Sequence, residues 1–227
     1  AYTHGFNPQP KLSLAAPLPL FMESEGEVAE IELSRRVEPG EFAERLNKQL
    51  PPEVQVVEVI ELLEKPVRSL AASLRKASYK TVFAGLKAEL SSSASPGSDE
   101  ISVNAETIID RVESMMASDE IMVPASPSRP KARKKRKKVA GPTEHDIRKG
   151  IESLVVSSTQ PLTLTMELTS SSDLHVKPAE VLECINPRIR WRILRLSLKG
   201  EAGTALIEHD LASSGKDFSD RIVASVS

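Results

Sequence analysis

The sequence predicts an α+β fold: a ferredoxin-like sheet with helices on one face, with duplication of that unit left open as an arrangement. Three observations predict it. The order strand, strand, helix, strand occurs near the start and again over 151–199. Several short runs alternate apolar and polar residues, the period of a half-buried strand. The segments between them carry apolar residues four apart, the period of an amphipathic helix. Similarity between the two halves is too weak to prove a repeat.

The opening AYTHGFNPQPK, residues 1–11, is not helical, because Pro8 and Pro10 each remove a donor and push Asn7 and Gln9 toward extended geometry. It reads as an ordered, polar, turn-forming loop leading into a strand. With no signal-peptide pattern and no initial Met, it is expected to be internal to a longer chain. PKLSLAAPLPL (10–20) then supplies a short strand and a proline-broken connection. In EVAEIEL (27–33), Ala29, Ile31 and Leu33 point one way and Glu30 and Glu32 the other, a strand with one wet face. EPGEFAERLNKQLPP spaces Phe42, Leu46 and Leu50 by four, which predicts a helix from about Pro39 to Leu50 stopped by Pro51 and Pro52. EVQVVEVIELL (53–63), rich in Val and Ile, is the returning strand.

SLAASLRKASY (69–79) reads as a helix and YKTVFAGLKAEL (79–90) as a strand, followed by a flexible loop at 91–100. NAETIIDRVESMM (104–116) is helical, with Asn104 as its cap, and EIMVP (120–124) is a brief strand. IESLVV (151–156) and LTLTMELT (162–169) are strands around an SSTQP turn. KPAEVLECI (177–185) places Pro178 in a first helical turn, where its missing donor is harmless. RIRWRILRLSLK (188–199) is the closing strand. The organisation expected is an α+β part over 1–90, a loop, helix and strand over 91–124, a disordered basic linker over 125–142, a second α+β part over 143–200 and a flexible tail over 201–227, with weak strand character at TALIEH.

Composition excludes several functions. Aromatics make up only 4%, so the core rests on Leu, Val, Ile and Ala. No apolar run approaches the roughly 20 residues that span a bilayer, so no membrane partner is expected. A net charge of −2 favours no partner by itself, but seven of the eight residues of KARKKRKK (131–138) are basic while ESEGEVAEIE (23–32) is acidic. The basic run fits nuclear targeting, backbone contact with nucleic acid, or a solvated linker, and no aromatic interleaves it for base stacking. The single cysteine, Cys184, allows no intramolecular disulfide and cannot by itself hold an iron–sulfur cluster or a zinc ribbon; it reads as a buried structural thiol in a reducing compartment.

Motifs for catalysis or metal binding are absent: the histidines at 4, 145, 175 and 209 are scattered, and there is no Gly-rich phosphate loop or nucleophile elbow. Glu144, His145 and Asp146 stand together in GPTEHDIRKG but read as a cap or turn. The closing strand is richer. Arg188, Arg190, Arg192 and Arg195 surround Trp191, and three of these guanidiniums on one sheet face would suit phosphate. They equally suit ordinary cross-strand pairs with Glu30 and Glu32.

AYTHGFNPQPKLSLAAPLPL, the ESEGEVAEIEL that follows and EFAERLNKQLP together resemble a bacterial and plastid family of radical-SAM-linked proteins, the domain of unknown function numbered 2344. The shared features are a Tyr-x-x-Gly-Phe-Asn-Pro-x-Pro-Lys segment, a Ser-Glu-Gly/Ala-Glu turn and an acidic alternating strand. The resemblance is close over 2–50, looser to about 80, and recognisable again at KPAEVLECI; the central loops and basic run depart from it as an insertion would. In the family a strand and a helix with a Ser-His-Leu-Asp motif precede this segment. The resemblance implies that the chain is the carboxy-terminal accessory part of a radical-SAM system, fused to or beside a radical-SAM protein with a corrinoid-binding-like domain. The 4Fe-4S cluster, S-adenosylmethionine and cobalamin would then belong to that partner or fused region, in a bacterial cytoplasm or plastid stroma.

Carried over by the motif are Tyr2, Gly5, Phe6, Asn7, Pro8, Pro10, Lys11, Ser24 and Glu25, to which the arginine strand adds Arg190 and Arg192. Gly5 can take a positive φ, Asn7 and Lys11 can donate to phosphate or carboxylate, and Phe6 can stack or anchor; the plainer role for Phe6 and Pro8 is to pin the loop to the core. The function expected is a non-catalytic substrate-binding or docking domain, with RNA the substrate class. Its rivals are a protein-interaction module with no nucleic-acid contact and an enzyme in its own right.

Overall fold

The protein, in a computed structural model, is described over residues 1–62, 69–86, 104–125, 144–200 and 221–226. The expected loop at 91–100, the basic run and TALIEH lie outside the described residues. Strands are β1 (Leu12–Leu14), β2 (Met22–Ser24), β3 (Glu27–Glu32), β4 (Val56–Leu62), β5 (Lys76–Leu86), β6 (Met122–Pro124), β7 (Glu144–Asp146), β8 (Ile151–Thr159), β9 (Leu162–Thr169), β10 (Ile189–Lys199) and β11 (Arg221–Val226). Helices are α1 (Pro39–Asn47), α2 (Leu70–Ser73), α3 (Ala105–Ala117) and α4 (Pro178–Ile185).

The α+β class is borne out. The larger sheet runs β2-β10-β5-β9-β8, and β5, α3, β8, β9, α4 and β10 follow one another along the chain within it. This is the split βαβ order of a ferredoxin-like unit, with β6 and β7 inserted as a separate two-stranded pair and β2 added parallel to β10. The smaller sheet runs β1-β3-β11-β4. There β3, α1 and β4 form one βαβ crossover, and β11 pairs antiparallel with both strands.

Local chemistry explains most boundaries. The Glu38 carboxylate caps α1 at Glu41 N (2.8 Å), and Pro39 occupies the first turn. Asn47 then bonds both backbone groups of Val56 (2.7 and 3.0 Å), so the end of the helix sets the start of β4. Asn104 caps α3 as expected, and Arg148 closes its other end by donating to the carbonyls of Met116 and Ser118. Gly150 is obligatory, since a Cβ there would collide with Val176 Cγ2.

Three expectations need correction. The helix read over 69–79 is confined to Leu70–Ser73, because residues from Lys76 onward pair with both β9 and β10, and that pairing outweighs local helix propensity. EHD at 144–146 is a strand rather than a turn, although Asp146 does act as a cap, accepting from Ile121 N and Arg148 N. The tail does not fray throughout: Arg221–Val226 is an interior strand, because its backbone groups pair antiparallel with β3 on one side and β4 on the other.

The core lies between the larger sheet and its helices. Ile108, Val112 and Met115 of α3 and Val181, Leu182 and Ile185 of α4 join Leu154, Leu164, Met166 and Leu168. Val28 and Leu62 of the smaller sheet belong to the same cluster. Among the described residues, one ion pair lies between the sheets. Arg195 of β10 is 3% exposed and binds Glu27 of β3 through Nε and Nη2, both at 2.8 Å. Its Nη2 also donates to the Ala16 carbonyl at 3.0 Å.

Removing one partner of such a pair strands a buried charge, at a cost of about 3–5 kcal/mol. Glu27→Ala is therefore expected to lower the urea midpoint sharply, whereas Glu27→Leu combined with Arg195→Met recovers most of the loss. A double-mutant cycle by urea denaturation checks this.

Candidate functional site

The opening stretch forms a hairpin-like loop. Thr3 N donates to Gln9 O (2.8 Å), Gln9 N to Thr3 Oγ1 (3.0 Å) and Lys11 N to Ala1 O (3.0 Å), with a bridge between Tyr2 and Pro10. The loop is fastened to β3 by Ala1 N, which donates to Glu32 O, and by Lys11 Nζ on Glu32 Oε1 (2.6 Å). His4, Gly5, Phe6, Asn7 and Pro8 make its tip. Gly5, at φ 149°, takes a conformation that side-chain-bearing residues rarely adopt. Phe6 is fully exposed and Tyr2 is 64% exposed. Phe6 and Pro8 therefore do not pin the loop to the core. Asn7 and Pro10 are exposed as well, while the Lys11 amine is already held by a carboxylate.

Ser24 ends β2 and Glu25 opens the turn to β3. The Ser24 hydroxyl donates to Glu27 Oε1 (2.5 Å), and Glu25 N donates to Arg195 O (2.9 Å). Ser24 thus supports the buried ion pair, and the exposed Glu25 side chain leaves its backbone to do the same. Glu27, which the sequence analysis did not single out, is the first residue of β3 and the acceptor on which these contacts converge.

The arginine strand divides by parity. Arg190 and Arg192 share one face, and Arg195 lies on the other with Tyr79 and Met166. The expected partners Glu30 and Glu32 are not the ones used. Arg192 binds Glu23 of β2 through two bonds of 2.7 Å, which pull the Glu23 carboxyl below its ordinary range and push the guanidinium higher still. Arg190 is exposed and has no carboxylate partner among the described residues, and the same holds for Lys80 of β5. Lys76 and Lys199 share Glu167, whose carboxyl is held low chiefly by its bond from Lys199.

A second exposed feature borders the opening loop. Leu12 and Leu14 of the edge strand β1, followed by Leu18, Leu20 and Phe21, all reach solvent, and Phe21 has φ 65°. A positive φ at a residue with a bulky side chain is a strained conformation.

Elsewhere, Ser170 Oγ lies 3.1 Å from His175 Nδ1, and His145 Nε2 lies 3.9 Å from Glu180 Oε2. Burial pushes the Cys184 thiol upward, as for a structural cysteine. A 4Fe-4S cluster of the radical-SAM kind needs several thiolates, so the one cysteine of this chain does not fit that group. Among the described residues no three His, Cys, Asp or Glu side chains are grouped to hold a metal. The site as built offers cations, hydrogen-bond donors and apolar contact.

The family model for an uncharacterized protein conserved in bacteria (DUF2344) matches residues 1–178, and the chain belongs to that family. Searches of curated proteins and of solved structures return no match.

Burial, and next to it the Lys177 charge, holds His175 below its ordinary value of 6.5. The unfolded chain then binds the proton more readily, so stability is intact above pH 6.5 and declines as pH falls toward the lowered folded value. His175→Gln is expected to flatten that part of the stability–pH curve, read from urea midpoints across the interval.

Proposed function

We propose that this chain is a non-catalytic accessory domain of a radical-SAM system, one that docks on the radical-SAM protein and holds RNA for modification. The observation that carries the reading is the opening hairpin: a hydrogen-bonded loop fastened to β3, with a fully exposed phenylalanine at its tip and exposed leucines beside it. An ordered loop with an uncovered aromatic suits recognition of a partner, since such side chains dominate interface energetics. The radical-SAM assignment rests on the resemblance of residues 2–50 to the linked family. On that assignment the cluster, S-adenosylmethionine and cobalamin reside with the partner's corrinoid-binding-like domain, in a bacterial cytoplasm or plastid stroma.

One observation favours a second reading, a protein-interaction module with no nucleic-acid contact. Lys11 and Arg192, two of the cations expected to meet phosphate, are occupied by Glu32 and Glu23.

Co-expression with the radical-SAM protein and affinity purification, with RNA measured in the eluate, separates the readings. RNA in the complex supports the first, and a complex free of RNA supports the second. Phe6→Ala is expected to leave stability within about 0.5 kcal/mol, as for a surface substitution, while cutting partner recovery severalfold. Full recovery of the partner with that variant overturns docking through the hairpin.

A further inference from the structure

We infer that the open face of the five-stranded sheet takes RNA through its phosphates rather than its bases, along the path from Arg190 past Arg192 to Lys80. This deepens the reading of RNA as substrate and rests on it. The apolar residues of β9 and the buried face of β8 lie against α3 and α4, whereas Glu152, Ser153 and Val155 on β8, Lys80 on β5 and Arg190 and Arg192 on β10 are exposed. The sheet therefore has a covered side and an open side.

Charge on the open side is unevenly compensated. Glu152 and Glu167 hold Lys76, Glu167 also holds Lys199, and Glu23 holds Arg192. Lys80 and Arg190 have no carboxylate among the described residues. The register places Arg192 opposite Val82 and Lys80 opposite Leu194, so the two uncompensated cations bracket the Arg192–Glu23 pair. Successive same-face residues on a strand stand about 6.6–6.8 Å apart, close enough for one extended anionic backbone to pass all three.

A bulge opens the Arg190 end. Arg190 pairs with Gly85 while its neighbour Trp191 pairs with Phe83, so the ladder shifts by one residue there. Gly85 has φ +124°, and a Cβ built on it would meet nothing within 4 Å. Bulges re-aim side chains, and a glycine with open space above it lets a ligand approach the backbone.

Among the described residues, base stacking has no platform on this side. Tyr79 and Trp191 alternate onto the covered side with Phe83, where they join the core. Contacts on the open side are guanidinium and ammonium to phosphate, which makes binding strongly salt-dependent and nearly blind to sequence.

The test is fluorescence anisotropy of the full chain with labelled single-stranded oligouridylate and a mixed-sequence oligoribonucleotide over a range of potassium chloride concentrations. Both RNAs should bind with similar affinity. Lys80→Ala with Arg190→Ala should weaken binding at least tenfold and reduce the log–log salt slope by about 1.4, at about 0.7 per lost phosphate contact, with an unchanged urea midpoint. Glu23→Gln releases Arg192 and should tighten binding severalfold, which a purely structural Glu23–Arg192 pair would not do. If the wild-type chain binds and the double variant keeps its affinity and slope, this face is overturned while the RNA reading stands. Absence of RNA binding by the wild-type chain at every salt concentration overturns both. Displacement of RNA by equimolar inorganic phosphate overturns the extended path in favour of a single-phosphate site.

Discussion

The Arg195–Glu27 pair is the constraint on which the arrangement of the two sheets depends. A guanidinium 3% exposed is tolerable only when its donors are matched, because an unpaired buried charge costs far more than the pair returns. Matching it takes a carboxylate that reaches β10 from β3, with the Ala16 carbonyl accepting a second bond from Nη2. That requirement fixes where the chain crosses from one sheet to the other. β2 runs parallel to β10, Glu25 N continues the contact on Arg195 O, and Gly26 passes close to the Leu196 carbonyl before Glu27 turns inward. Tyr79 sits in the same pocket, its hydroxyl pushed upward by burial although the Arg195 charge draws it back.

This geometry gives the Ser-Glu-Gly-Glu turn a structural explanation. Ser24 orients Glu27, Glu25 lends its backbone, Gly26 N donates to the Ser24 hydroxyl, and Glu27 supplies the charge. A short acidic motif on a sequence looks like a surface feature or a binding site. Here three of its four residues serve a partner 168–171 residues away along the chain. No local pattern announces such a distance, and the same limit explains why Glu30 and Glu32 looked like equally good partners for the arginines.

Legibility in the sequence follows the same division between local and distant causes. α1, α3 and α4 were readable because their caps and periodic apolar residues are local, as with Glu38, Asn104 and Pro178. β9 is readable because one face of it is buried throughout, so alternation survives in Leu162, Leu164, Met166 and Leu168, and β8 because buried Ile151 and Leu154 stand among exposed neighbours. The start of β5 was misread as helix because Leu70 and Leu74 are both buried core residues four apart, while only the first of them is in the helix. β11 was missed because its pairing with β3 and β4 joins segments far apart in the chain. At the candidate site, exposure of Phe6 and the uncompensated charge on Lys80 are properties of surroundings that only the folded chain assembles.

Arg192 and Arg195 show how one strand can build a core and a surface from the same residue type. They stand three apart, so strand alternation sends them to opposite faces. On the covered face a guanidinium shut away from water needs its carboxylate, and the partner acid cannot be changed without stranding that charge. On the open face water answers donors freely, so the bidentate bond from Arg192 to Glu23 adds little stability and remains exchangeable for another anion. Two successive strands supply an acid to each: Glu23 of β2 on the exposed side, and Glu27 at the start of β3 on the inner one. The inner pair holds the sheets in place, and the outer pair sits on the rigid platform that results, where a competing phosphate can contest it.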